Sequence, residues 1–268
     1  MSKRVSDAPP RVSAFWLRWF RWYLRRYLRK SFHAVAVGGP EPAIPRDAPL
    51  VVYLNHASWW DPLVAMHLAE RITPARTLYA PFDAAALARY PIFEKLGFFG
   101  VEQQTRRGAA QFLRTARSVF ATPDTSIWMT PEGRFVDPRE EAPAFQPGLA
   151  HLVADLAERA PDAVVLPLAI EYVFWEERLP EALVWFGEPV RLRESRGGLD
   201  KAGWDDLLRA RLRAAQGELA ARSIARDASA FRVVLGGTAG VGGAYEPARW
   251  LHAKLTGQAY RAAHSEKF

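Results

Sequence analysis

The stretch LVVYLNHASWWDPLVAMHLAERI, residues 50–72, decides how the chain is read. Leu50 to Leu54 is an unbroken apolar run containing two valines and a tyrosine, the pattern of a buried strand. Asp61 and Pro62 then open a helical pattern that runs to Ile72, with Asp61 suited to the N-cap and Pro62 to the first helical position. Strand, short loop, helix is the repeating unit of α/β proteins, whose active sites lie in loops at the carboxyl ends of strands. The loop here, Asn55 to Trp60, holds a histidine, and the next helix opens on an aspartate five positions after it.

The same alternation continues down the chain. Residues 78–102 read as strand, short helix and strand; 106–120 as a helix; 125–130 as a strand ending at PEGRF (131–135). Then follow a helix over 148–160, a long strand over 163–175, a strand over 182–192 and a long amphipathic helix over 203–227. The expected fold is α/β, with a central twisted, mostly parallel or mixed sheet flanked by helices. Pro167 inside the long strand predicts an edge position or a bulge, because proline cannot donate to a ladder. We divide the chain into an N-terminal amphipathic membrane-anchor segment (1–37), an α/β domain (38–235) and a glycine-rich, then helical, tail (236–268). Residues 1–10 read as a disordered lead-in. The tail's glycines lack the Gly-Lys-Ser/Thr ending of a phosphate-binding loop.

The N-terminal segment contains FWLRWFRWYLRRYLRKSF (15–32). Arg18, Arg21, Arg25 and Arg29 recur at helical spacing, and Trp16, Phe20, Tyr23, Leu24, Tyr27 and Leu28 fall mainly on the other side. A helix with one basic and one aromatic face suits a bilayer interface, its arginines reaching phosphates and its rings the acyl boundary. The bland alternative is a surface helix packed on its own domain. No apolar run reaches the roughly 18 residues of a spanning helix, and arginines interrupt what would be a secretion signal.

Composition narrows the chemistry. The 268 residues are 49% hydrophobic, enough for a core without staples, and carry a net charge of +7 that favours anionic partners. There is no cysteine, which excludes disulfides, thiolate metal sites and cysteine nucleophiles. His33, His67, His151, His252 and His264 show no ligand spacing, so no metal is expected. No nucleic-acid module follows the basic helix, and no nucleic-acid partner is expected.

His56 and Asp61 suit general-base chemistry: an imidazole takes a proton near neutral pH, and a carboxylate on its second nitrogen fixes the tautomer and stabilises the imidazolium. The bland reading is a core histidine beside a helix-capping aspartate. NHASWWD, however, resembles the His-x4-Asp motif of the glycerolipid acyltransferases, the lysophosphatidic acid acyltransferase family. GFFGVEQQTRRG (97–108), TPEGRF (130–135) and VVLPLAIEY (164–172) follow in the order of that family's other blocks. The resemblance runs from about Leu50 to Val190. It departs in three places: Arg106 or Arg107 stands in, shifted along, for the second block's arginine; Arg134 directly follows Gly133; and Gln146 occupies the place of a lysine near the acceptor phosphate. The tail and the divergent acceptor blocks also look similar to acyltransferases associated with bacterial carotenoid-glycoside enzymes.

The resemblance implies an O-acyltransferase that uses acyl-CoA or acyl carrier protein as co-substrate, needs no cofactor, and acylates a lysophospholipid-like lipid as a peripheral protein of the cytoplasmic membrane face. A non-phospholipid acceptor such as a glycosylated carotenoid is the alternative within that class. A thioester or ester hydrolase and a membrane-associated lipid-binding protein are the alternatives outside it. His56 and Asp61 would be catalytic. Arg106, Arg107 and Arg134 are candidate anion clamps; Glu132 and Gly133 would shape the acceptor site; Asn55 and Pro167 are structural. Trp59 and Trp60 are expected to divide, one inward and one toward an acyl groove. Gly133 or the first amides of the 61–72 helix are the expected donors to a transition-state oxyanion.

Overall fold

The computed structural model describes residues 8–140, 143–194, 199–240 and 245–256. The start of the lead-in (1–7) and the end of the tail (257–268) lie outside the described residues. Helix α1 (Ala14–Ser31) leads into strand β1 (Ala34–Gly38), followed by β2 (Leu50–Leu54), α2 (Asp61–Ile72), β3 (Thr77–Asp83), α3 (Ala84–Arg89) and β4 (Phe98–Val101). Then come α4 (Arg106–Phe120), β5 (Thr125–Met129), α5 (Gly148–Arg159), β6 (Val164–Val173), β7 (Glu181–Phe186), β8 (Val190–Arg191), α6 (Lys201–Ile224), β9 (Phe231–Gly236) and α7 (Tyr245–Thr256). Among the described residues the strands form one sheet in the order β4-β3-β5-β2-β6-β7-β1-β9, with β8 also on β6. The pairs from β4 across to β6 are parallel; β6–β7, β6–β8 and β1–β9 are antiparallel. The fold is α/β, with a mostly parallel sheet between two helical layers.

The alternation of side chains along each strand divides the core in two. Leu50, Val52 and Leu54 face α1 and α2, with Leu166, Leu168 and Ile170 beside them. Val51 and Tyr53 face α4, α5 and α6, with Ile127 and Val165. Both faces of β2 are therefore covered, as an unbroken apolar strand requires.

Several expectations change. The predicted strand over 182–192 is two strands, β7 and β8, broken at Gly187–Pro189. This break explains Pro167, which lies not on an edge but at a bulge: the antiparallel register shifts by one residue between Leu168↔Phe186 and Val165↔Val190, so residues 187–189 oppose Leu166 and Pro167. It sits in mid-sheet, paired with Tyr53 of β2. Its carbonyl accepts from Gly187 N at 3.0 Å, so its nitrogen faces the gap between β8 and β7, where no ladder donor is called for. Gly187 has no room for a side chain there: a Cβ would come within 2.8 Å of Pro167 Cγ. Strands β1 and β9 were not foreseen. Ala34 to Gly38, of which sequence reading leaves the first four residues in the N-terminal segment, is a fully buried strand between β7 and β9.

Helix α1 buries Leu24 and Leu28, with Leu17 and Phe20 packed partly against the same core. The aromatic side is split. Trp16, Trp19, Trp22 and Tyr23 are exposed, and Trp16, Trp19, Tyr23 and Tyr27 follow one another at 5.7 to 6.0 Å between rings. Arg76 ties the connector before β2 to the sheet, donating to the carbonyls of Pro45, Arg46, Ala48 and Thr125.

His67 on α2 is buried, and desolvation lowers its pKa to about 4. An ordinary histidine pKa in the unfolded chain is about 6.5, so the neutral ring favours the fold above that pH. That contribution is lost as pH falls toward 4, with a slope approaching about 1.4 kcal/mol per pH unit. Denaturant unfolding of His67→Leu at a series of pH values is expected to lack this acid-side loss, which the unsubstituted protein shows.

Candidate active site

The parallel strands β3, β4, β5, β2 and β6 all end on the same edge of the sheet. The carboxyl ends of the neighbours β5, β2 and β6 bring the site together. Asn55, just past β2, replaces the next rung of the ladder. Its side-chain nitrogen donates to Ile170 O at 3.0 Å and its oxygen accepts from Ile170 N at 2.8 Å. The strand ends there and the chain turns toward α2.

His56 follows. Its Nδ1 lies 2.8 Å from Oδ2 of Asp61. The same Oδ2 accepts from Ser58 N at 2.8 Å, and Oδ1 accepts from the Tyr172 hydroxyl at 2.7 Å. Asp61 is 0% exposed. It does not cap its helix: Trp60 takes the N-cap position, and the Asp61 carboxylate turns back into the loop. A buried carboxylate is costly unless donors surround it, and three do so here. Each of them is a donor to an ionised acid, so His56 Nδ1 carries the proton and Nε2 is the acceptor nitrogen. Nε2 lies on a ring that is partly exposed.

Glu132 comes from the loop after β5. Its Oε2 accepts from His56 N at 2.5 Å, and Val136 N donates to His56 O at 2.8 Å, so the PEGRF turn clasps the histidine by its backbone. Glu132 is 1% exposed, and Oε1 has no hydrogen-bond partner among the described residues. Desolvation raises its pKa to about 7, against the lowering effect of its bond to the His56 amide and of the His56 charge. Gly133 adopts φ +65°, and a Cβ there would come within 2.8 Å of Gln146 Cγ, so the turn requires glycine.

The remaining predicted site residues scatter. Arg134 is exposed and paired with Glu140 at 2.8 Å, a surface contact that costs little to open. Arg106 and Arg107 begin α4, exposed, on the same edge of the sheet but three strand positions from β2, roughly 14 Å at ordinary strand spacing. Trp59 is 52% exposed, while Trp60 packs against Tyr27 and Phe32 at the core's margin. The amides expected as oxyanion donors are engaged internally: Gly133 N with Thr130 O, and Leu63 N and Val64 N with Trp60 O.

Two neighbours of the His56–Asp61 pair escaped sequence reading. Phe135 is 58% exposed, and its ring lies 4.5 Å from the imidazole. Tyr172 sits on β6. The register Leu54 to Leu168 places it on the same face as His56, a signal present in the even-numbered positions of β6 but hidden until the register is known.

The family model described as Acyltransferase matches residues 34–171. The chain is also similar to the 1-acyl-sn-glycerophosphate (LPA) acyltransferase PlsC from Thermotoga maritima, at 16% identity and a TM-score of 0.48, over 77% of this chain and 80% of that one. A search of curated proteins finds no match.

Glu132→Gln keeps an acceptor for the His56 amide and removes the ionisation. The folded pKa near 7 lies above the usual carboxylate value, so the glutamate's contribution is fully present at acid pH and is lost as pH rises through 7. The variant is expected to gain stability relative to the unsubstituted protein between pH 5 and pH 8, as read by denaturant unfolding at those two values.

Proposed function

The chain belongs to the acyltransferase family. From that premise we propose that it moves a fatty acyl group from an acyl-CoA or acyl carrier protein thioester to a hydroxyl of a lipid acceptor at a membrane surface, with His56 as general base and Asp61 as its partner. One observation carries the reading: a fully buried carboxylate grips His56 Nδ1 and leaves Nε2 for substrate.

Nε2 takes the proton of the acceptor hydroxyl as that oxygen attacks the thioester carbonyl carbon. Asp61 stabilises the imidazolium that forms. As the tetrahedral intermediate collapses, the carbon–sulfur bond breaks and the imidazolium returns the proton to the leaving sulfur. The products are an ester and a free thiol, with no acyl-enzyme. The residues would act as a direct-transfer base rather than as part of a serine-nucleophile triad, since the chain has no Gly-x-Ser-x-Gly elbow.

The surroundings of His56 support a lipid acceptor. Exposed Phe135 lies against it, and exposed Trp59, three residues on in the same loop, meets Tyr27 at the inner end of the ring series of α1. Arg18, Arg25, Arg26 and Arg29 are exposed on the same helix. This pairing of rings and cations fits an anionic interface. Among the described residues, no helix is long and apolar enough to cross a membrane. A second reading concerns the acceptor alone. The neutral side chain of Gln146 lies against Gly133, which favours an acceptor with an uncharged head group, such as a glycosylated lipid, over a phosphomonoester.

His56→Ala is expected to fold normally and to lose roughly 10²–10⁴-fold in acyl transfer, measured as thiol release together with acylated lipid by mass spectrometry. Thiol release unchanged by added lipid would instead indicate a hydrolase. Removing α1 would uncover Leu24 and Leu28, so the membrane test replaces exposed rings only. A variant with Trp16, Trp19 and Trp22 changed to Ser is expected to stop co-sedimenting with anionic vesicles while keeping its unfolding temperature; undiminished co-sedimentation would contradict membrane-surface action.

A further inference from the structure

We propose that Tyr172 is a positioning residue for the His56–Asp61 pair, setting both the angle of the Asp61 carboxylate and the proton affinity of the His56 ring. The inference rests on the assignment of His56 as the base.

The observations are geometric. Oδ2 of Asp61 takes its two donors, His56 Nδ1 and Ser58 N, from its own loop. Oδ1 accepts from the Tyr172 hydroxyl, 111 residues away on β6. That bond is the tie between the carboxylate and the sheet. With Oδ1 held, rotation about the Cβ–Cγ bond stops and Oδ2 faces Nδ1. The Tyr172 ring is itself seated: its centroid lies 5.7 Å from that of Phe32, which makes an edge contact with Trp60 at 4.9 Å. Burial and the Asp61 charge keep the phenol protonated, its pKa raised well above the ordinary value, so it acts only as a donor.

The electrostatic consequence has a definite sign. A donor on Oδ1 draws negative charge from Oδ2 and weakens the carboxylate's hold on the imidazole proton. Removing it concentrates charge on Oδ2 and raises the proton affinity of His56. Among the described residues, the loop after β5 brings two further ionisable groups to the pair: Glu132 on the His56 amide, and Arg134, whose head is held by Glu140. From α1, Tyr27 reaches the site through Trp59 and Trp60. None of these donates to Oδ1.

The test is Tyr172→Phe, which keeps the ring against Phe32 and removes only the hydroxyl. The kcat for acyl transfer is expected to fall roughly tenfold with KM little changed. The His56 ring, followed directly by NMR, is expected to titrate roughly half a unit to one unit higher than in the unsubstituted protein. Glu132, which ionises nearby, would register as a separate inflection. Loss of kcat with an unmoved His56 titration would reduce Tyr172 to packing and overturn the proposal, as would unchanged kcat. Should the variant not fold, the hydroxyl proton of Tyr172 in the unsubstituted protein decides: protection from solvent exchange supports the bond to Asp61, and free exchange overturns it. The NMR arms need no turnover. An unsubstituted protein that transfers no acyl group but shows the shifted titration would refute the proposed reaction and leave the role of Tyr172 standing.

Discussion

The Asp61 carboxylate has no contact with water, and the site is organised around satisfying it. An ionised acid in a protein interior is tolerated only where donors replace its hydration. Two elements supply the three donors: the loop after β2 through His56 Nδ1 and Ser58 N, and β6 through the Tyr172 hydroxyl. Asn55 makes this convergence possible by closing the ladder between β2 and β6 with its side chain, so the backbone can leave the sheet one residue before the histidine. The result is an imidazole with one nitrogen committed to the fold and the other left for chemistry.

The second acid nearby is handled differently. Glu132 is also buried, but it meets a backbone amide on one oxygen and, among the described residues, no donor on the other, and its pKa rises to about 7. Two carboxyl groups beside one histidine thus differ in state because their surroundings differ, a common means of separating roles in a site. Glu132 clasps the His56 backbone while burial favours its neutral form, and the Asp61 carboxylate is ringed by three donors. In the proposed reaction this keeps the local negative charge on the side of Nδ1, away from the nitrogen that receives the proton.

Local pattern was enough for most of the layered fold. The apolar run of β2, the periodicity of α4 and α6 and the alternation of element types all reflect local burial, which a sequence displays directly. The strand β1 was hidden because its five residues, Ala34 to Gly38, are short and small and follow directly on a long helix. Pro167 pointed to a bulge but not to which strand carries it: the extra residue lies on the neighbouring segment, which is broken at Gly187. For the site, the order of the blocks was legible and brought His56, Asp61 and Glu132 together. The arginines were not, because exposed guanidinium groups are placed by loops rather than by burial. Tyr172 and Phe135 require the strand register and the path of the PEGRF turn, neither of which any local pattern encodes.

The central claim is that Nε2 of His56 serves the acceptor oxygen itself. The most direct measurement is a crystal structure with a non-transferable thioester analogue and a lipid alcohol bound together. The expected result places the alcohol oxygen within about 2.6–3.2 Å of Nε2 and in line with the thioester carbonyl carbon. An acyl group found covalently attached to a side chain of the protein, or an alcohol bound away from His56, would contradict it.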